Sequence, residues 1–320
     1  MNKKNLSTNP DIQETLESQR AFFATGTTKN ISFRKEQLKK LQQAIIDHEK
    51  EICDALHADF RKPPFETFET EIGTVLNEIK DSIKHINKWA KVKKVKTPLT
   101  HLPAKSKIYS DPYGVVLIIA PWNYPFNLLM APLIGAICAG NCAVLKTAPA
   151  SENTSSVIKK IITEIYPNDY VAVFDGGRSV NTELLNQRYD YIFFTGGAEV
   201  GRLVLESAAR YLTPCTLELG GKSPCIVADD ADLKIAARRL AWGKFLNCGQ
   251  TCVAPDYLLV SNNVKTKLFE LMLEEIKNFY GDDPKSSPDF PRVITDRHFE
   301  RISSLLSSGE ILTGGQTDAA

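Results

Sequence analysis

Residues 112–145 carry no charged side chain, a run longer than the ~20 residues that a helix needs to cross a bilayer. Its internal breakers argue against a span. Pro121, Pro125 and Pro132, with Asn123, Asn127, Gly135 and Asn141, cut the run into a short strand, a loop and a helix, because proline lacks a backbone donor and glycine and asparagine favour turns. Short elements that are apolar on every side belong in a parallel sheet covered on both faces. That constraint makes the chain α/β.

The same texture continues downstream. Predicted strands cover 115–120, 143–145, 170–174 and 191–195; helices cover 125–139, closed by Gly140, and 152–165, followed by Pro167. The helix after Gly197 would set Val200, Leu203, Val204, Ala208 and Leu212 against the sheet. A second such region begins near Thr216, with strands 216–219, 225–227 and 257–260 and helices 232–246 and 265–280. The first of those helices would bury Leu233, Ala236, Ala237, Leu240 and Phe245. Upstream, Leu38, Leu41, Ala44, Ile45, Ile52, Ala55 and Leu56 recur at helical spacing, and a second helical pattern over 64–89 carries Phe68, Ile72, Val75, Leu76, Ile79 and Ile83. The basic stretch 95–109, broken by Pro98 and Pro103, reads as a protruding hairpin.

The expected architecture is therefore a doubly wound parallel-sheet cofactor domain (residues 1–94 and 113–215), a small β arm for oligomerisation (95–112) and a second α/β catalytic domain (216–320). The 39 Lys and Arg against 38 Asp and Glu give no chain-wide field that would recruit nucleic acid or an anionic membrane. A small-molecule partner is expected. Seven cysteines and a start at residues 1–10 without an apolar signal core point to the reducing cytoplasm.

Ligands of open α/β sheets bind beyond the carboxyl ends of strands, which selects Trp122 and Asn123, Lys146, and Gly196 and Gly197. The Thr195-Gly196-Gly197 turn opens a helix whose free N–H groups favour a pyrophosphate. A plain glycine turn is an equal reading of those residues alone. Arg202 and Leu203 where a P-loop needs Lys and Ser or Thr argue against an NTPase. Lys146 could hydrogen-bond a ribose, although an exposed lysine at a strand end needs no function. Cys248 and Cys252 lack zinc-ligand spacing and a nearby histidine, so no metal is expected. Cys252 lies in the loop 247–255, where a cysteine read in isolation is more often a small hydrophobe than a nucleophile.

Four ordered segments change that balance. Pro121-Trp122-Asn123-Tyr124-Pro125, Phe194-Thr195-Gly196-Gly197, Leu217-Glu218-Leu219-Gly220-Gly221-Lys222-Ser223-Pro224 and Gly249-Gln250-Thr251-Cys252 resemble the signatures of aldehyde dehydrogenases. The continuations Ala241-Trp242-Gly243-Lys244-Phe245 and Val253-Ala254-Pro255-Asp256-Tyr257 are most similar to the class 3 branch, which oxidises medium- and long-chain or aromatic aldehydes. The resemblance implies that Cys252 attacks the aldehyde, that Asn123 and the Cys252 N–H stabilise the oxyanion, and that a buried Glu218 activates the hydrolytic water. It implies NAD or NADP as cofactor, held by Lys146 at the adenosine ribose, with Trp122, Thr195, Gly196, Gly197, Gly201, Leu219 and Gly220 around it.

Two departures stand out. The family commonly has Pro-Ser-Glu or Pro-Ala-Glu after the lysine, whereas this chain has Thr147-Ala148-Pro149, which removes a partner for a ribose 2′-hydroxyl and an obstacle to a 2′-phosphate. The family also has a downstream Glu-Ile-Phe-Gly-Pro segment and a carboxyl-terminal strand that completes a homodimer, neither of which occurs in these 320 residues. The expectation is a truncated form, with a catalytically weak nucleotide- or subunit-binding fragment as the alternative. An acylating relative fits less well, because it has little use for Glu218.

Overall fold

The computed structural model describes residues 10–319; the amino-terminal stretch read for a signal core falls mostly outside them. Helices α1 (Ile12–Ala24), α2 (Ile31–Asp47) and α3 (Glu49–Phe60) begin the chain. Asp11 and Asn30 accept first-turn N–H groups of α1 and α2, as good N-caps do. The predicted stripe Leu38, Leu41, Ile45, Ile52 and Leu56 is fully buried. α4 (Pro64–Thr67) passes through a π turn, Phe68–Ile72, into α5 (Gly73–Trp89). In that turn the Gly73 N–H reaches the Phe68 carbonyl, and Glu71 is brought into the core, fully buried.

Strands β1 (Lys93–Val95) and β2 (Ser106–Ile108) pair antiparallel in a sheet of their own, starting two residues before the expected hairpin. The uncharged run then resolves into β3 (Val115–Ile119), α6 (Asn127–Ala139) and β4 (Cys142–Lys146). Both strands are buried throughout. No helix among the described residues is long and apolar enough to cross a membrane. Next come α7 (Glu152–Ile165), β5 (Val171–Phe174), an unanticipated α8 (Arg178–Leu185), β6 (Tyr191–Thr195), α9 (Ala198–Ala209) and β7 (Cys215–Glu218). The five strands form one parallel sheet, ordered β5-β4-β3-β6-β7.

Two expectations need correction here. The strand placed at the start of the second region is β7, which pairs with β6 and belongs to the first sheet. The face that α9 packs is also different: Val204 and Ala208 are buried, but Val200 and Leu203 are exposed, and Leu212 lies beyond the helix at φ 55° with its side chain in solvent. Gly201 explains the shift, since a Cβ there would come within 2.9 Å of Leu219. α9 therefore approaches the sheet on its small residues.

The remainder builds a smaller parallel pair, β8 (Ser223–Val227) and β9 (Pro255–Val260), with α10 (Leu233–Phe245), α11 (Asn262–Tyr280) and α12 (Asp296–Ser303). Val227, Ala237, Leu240 and Leu268 form its core. Of the α10 residues expected inside, Ala237 and Leu240 are buried, while Leu233, Ala236 and Phe245 are half-buried.

Among the described residues one ion pair is wholly buried. Lys62 Nζ and Glu71 Oε1 are 2.8 Å apart with both side chains fully buried. The other carboxylate oxygen accepts the N–H groups of Phe126 and Asn127, at the start of α6. Removing one partner leaves an uncompensated buried charge. Lys62→Met is expected to cost about 3–5 kcal/mol in urea unfolding; a loss below about 1 kcal/mol would show that Glu71 is satisfied without the lysine.

Candidate active site

The sheet order places a topological switch between β3 and β6, since β4 and β5 lie on one side of β3 and β6 and β7 on the other. A crevice opens beyond the strand ends at such a point. Register aligns Ile119 with Lys146 and Phe194, and Thr195 with Glu218. Trp122 and Asn123, Lys146, Thr195 to Gly197, and Glu218 to Gly220 therefore all lie along the same carboxyl edge.

Two connections bring Cys252 to that edge. Asn123 Nδ2 donates to the Gln250 carbonyl at 2.8 Å. At Gly221, a Cβ would lie 2.3 Å from the Cys252 carbonyl oxygen, so the turn after β7 touches the cysteine loop as only glycine allows. Cys252 is the exposed cysteine among the described residues. Its N–H, like the second amide N–H of Asn123, has no protein acceptor there. Glu218 is exposed, not buried as expected between Leu217 and Leu219; its carbonyl accepts the Gly196 N–H at 2.9 Å.

The loop itself is clamped. Asn247 and Cys248 adopt left-handed conformations, φ 54° and 55°, which cost energy in residues other than glycine and persist only when the surroundings enforce them. Asn247 Nδ2 donates to Asn123 O at 2.7 Å, and Gln250 Nε2 donates to Asn247 O and Arg292 O. Tyr124 and Thr251 share a 2.6 Å hydroxyl contact. Burial pushes the Cys248 thiol up to about 11, so it is a poor competitor of Cys252 as a nucleophile.

Lys146 is buried, where an exposed lysine would have needed no function. It donates to the Thr147 and Gly176 carbonyls at 2.6 and 2.7 Å, and desolvation lowers its pKa to about 8. An ammonium has three donors, so one is left for a ribose. Gly197 caps α9 without any side-chain partner, and the first-turn N–H groups stay open to an anion. These donors fit a dinucleotide. Trp122 packs against His298, ring centroids 4.5 Å apart with the planes tilted by 49°, and Gly201 is occupied in packing against Leu219. Among the described residues no cluster of His, Cys, Asp or Glu could hold a metal ion.

Sequence reasoning missed Glu66. Its Oε1 accepts the Asn247 N–H at 2.9 Å inside the protein. Desolvation raises its carboxyl to about 7, with Lys62 and the Asn247 N–H opposing and Glu71 and Glu69 adding to the rise. The signal was hidden, because a glutamate in a helical pattern reads as solvated face. A carboxyl raised from an unfolded value near ~4.3 favours the folded state while protonated and penalises it as pH climbs toward 7. Glu66→Gln is therefore expected to match the parent's urea midpoint near pH 4 and to exceed it increasingly up to pH 8; parallel midpoints across that range would refute the assignment.

Comparisons with known proteins agree with this geometry. The model of the aldehyde dehydrogenase family matches residues 2–319. The 4,4'-diaponeurosporen-aldehyde dehydrogenase of Staphylococcus aureus is 46% identical over 309 residues, 96% of this chain and 67% of that protein. A dimeric, NADP-preferring aldehyde dehydrogenase from Canis lupus familiaris is 44% identical over 97% of this chain and 68% of its own length. For aldehyde dehydrogenase family 3 member A2 of Macaca fascicularis the values are 44%, 94% and 62%. The chain thus spans about two thirds of the length of these relatives. A Staphylococcus aureus AldH solved in a substrate-bound state superposes with a TM-score of 0.93 at 46% identity, over 97% of this chain and 68% of that one. The chain belongs to the aldehyde dehydrogenase family.

Proposed function

We propose that this chain oxidises an apolar aldehyde to its carboxylic acid with NAD or NADP, using Cys252 as nucleophile. The carrying observation is the convergence of three loops, those of Asn123, Gly221 and Cys252, at the switch point. Attack by the Cys252 thiolate on the carbonyl carbon gives an alkoxide, and the free amide N–H of Asn123 and the Cys252 N–H are the donors for it. Such a donor is worth roughly 3 kcal/mol in comparable sites. A bound nicotinamide dinucleotide supplies the hydride acceptor that protein side chains lack; Lys146 and the uncapped start of α9 would hold it. The chain must then hydrolyse a thioester on Cys252. Glu218, exposed at the end of β7 just before the turn that touches the cysteine loop, is the base for the attacking water.

The apolar preference rests on a cavity of about 580 Å³ whose apolar wall is Phe65, Trp242, Leu246, Phe279 and Tyr280, with the charged Glu66, Glu69, Arg238, Arg239 and Asp289 also on its lining. Leu246 and Glu66 connect it to the nucleophile loop. Its apolar side rewards a hydrocarbon or aromatic tail with burial.

Following reduced cofactor with a panel of aliphatic and aromatic aldehydes tests the reading. Turnover that vanishes in Cys252→Ser, falls about 10²–10³-fold in Asn123→Ala and stops after one acylation in Glu218→Gln is expected. A folded chain that binds cofactor without turnover would favour the nucleotide-binding fragment instead. For the cofactor, the exposed Pro149 stands where relatives of the resembling pattern carry a carboxylate. NADP should serve as well as NAD, and Pro149→Glu should weaken NADP about tenfold relative to NAD through charge repulsion; equal losses of both would remove the idea.

A further inference from the structure

Among the polar atoms of Asn247 one is left without a partner. The residue is fully buried and stands in the left-handed region at φ 54°. Its N–H goes to Glu66, its carbonyl accepts from Gln250, and its side-chain Nδ2 donates to the Asn123 carbonyl at 2.7 Å and the Gln250 carbonyl at 3.3 Å. Those last two bonds fix which end of the amide is nitrogen. The odd atom is therefore Oδ1, a buried acceptor with no hydrogen-bond partner, and such an atom loses its hydration for nothing in return.

Glu66 is the neighbour able to supply the missing donor. Its Oε1 already accepts the Asn247 N–H at 2.9 Å, and its second carboxyl oxygen takes no hydrogen bond from the described residues. A carboxylate only accepts, whereas a neutral carboxyl has one O–H to give. The surroundings favour the neutral form. Burial above all, with Glu71 and Glu69 beside it, raises the carboxyl to about 7 against the pull of Lys62 and the Asn247 N–H, and the Lys62 ammonium is bonded to Glu71 instead. Tyr124 faces it from the segment after β3, Tyr280 from the end of α11 and Cys248 from the loop; burial keeps all three protonated. Arg238, Arg239 and Asp289 share the cavity that Glu66 borders. His298 reaches the site only through Trp122. Burial, Arg301 and Arg297 lower its pKa from the usual histidine value, so it is neutral where Glu66 changes charge.

We propose that Glu66 is a positioning residue whose neutral carboxyl latches the nucleophile loop, Oε1 accepting the Asn247 N–H while the carboxyl O–H is donated to Asn247 Oδ1. Two bonds to one residue hold the left-handed turn more firmly than either alone. Loss of the proton to solvent turns the donor into a second acceptor facing Oδ1 and leaves a charge in the interior. A latched carboxyl near 7, against about 4.3 when the loop is open, makes the latch complete below the lower value and lost as pH rises through the higher one. Because Asn247 also holds Asn123, the loosening extends to the donors proposed for the oxyanion. That consequence rests on Cys252 being the nucleophile; the latch does not.

Hydrogen exchange of peptides covering 246–255, measured by mass without aldehyde or cofactor and corrected for the intrinsic rate, tests the latch whether or not the chain turns over. Between about pH 6 and about pH 8 the loop of the parent should lose about tenfold in protection. Glu66→Gln, which can accept and donate at the same two atoms but cannot ionise, should keep its protection at both. Glu66→Ala should be poorly protected at both, with β3 and β4 still protected as evidence of folding. Equal losses in the parent and Glu66→Gln would overturn the proposal. So would a parent loop that exchanges no faster than β3 and β4, since Glu66 would then be felt only in global unfolding.

Discussion

The Lys62–Glu71 pair is the point on which the active-site edge hangs. One carboxylate oxygen meets the ammonium and the other takes two N–H groups at the start of α6, so a single residue of the helical layer fixes where the segment after Asn123 enters its helix. Lys62 in turn lies over the Tyr124 ring, 4.6 Å from its centroid, and the Tyr124 hydroxyl meets Thr251, next to the nucleophile. Four residues after Lys62, Glu66 holds the other end of that loop through Asn247. Burying charge is tolerable only when each oxygen and each proton finds a partner. Here the partners are backbone groups of the site, and the requirement for satisfaction becomes a requirement for geometry.

That arrangement explains how a loop with two left-handed non-glycine residues remains in one shape. Asn247 and Cys248 lie in conformations that a free loop would leave. The contacts of Glu66, Asn123 and Arg292 reach the loop from different parts of the chain, so relaxing one torsion would break several hydrogen bonds at once. Preorganisation of this kind suits a nucleophile whose donors must be aimed before charge develops.

The elements were legible where sequence signals are local. Short apolar runs gave β3 to β6 within one or two residues, because strands buried on both faces leave no ambiguity of period, and Gly140 marked the end of α6. Contacts between distant segments were not legible. Thr216 and its neighbours looked like a new region, but the strand is claimed by the edge of the first sheet. Val200, Leu203 and Leu212 had the period of a packing face, yet Gly201 and Ala208 let α9 approach on another side. Lys146 and Glu218 exchanged their expected burial, since local polarity says nothing about what the rest of the chain lays over a strand end. Lys62, Glu66 and Glu71 escaped notice for the same reason: charged residues at the start of a helical segment describe a solvated face until a partner from another segment covers them.

The same distinction bears on the lysine-rich arm. Inside the core, charge must be matched group by group, as around Glu71, and the fold has little freedom to place it. A two-stranded hairpin standing apart from both cores carries no such demand. Its lysines face solvent, which screens even the directly opposed Lys94 and Lys107, and its leucines lose nothing that the cores would have gained. A net charge near zero then describes neither part of the molecule: the body is acidic and the arm basic. Such a separation gives the molecule a lasting charge asymmetry, which steers how any charged partner approaches it.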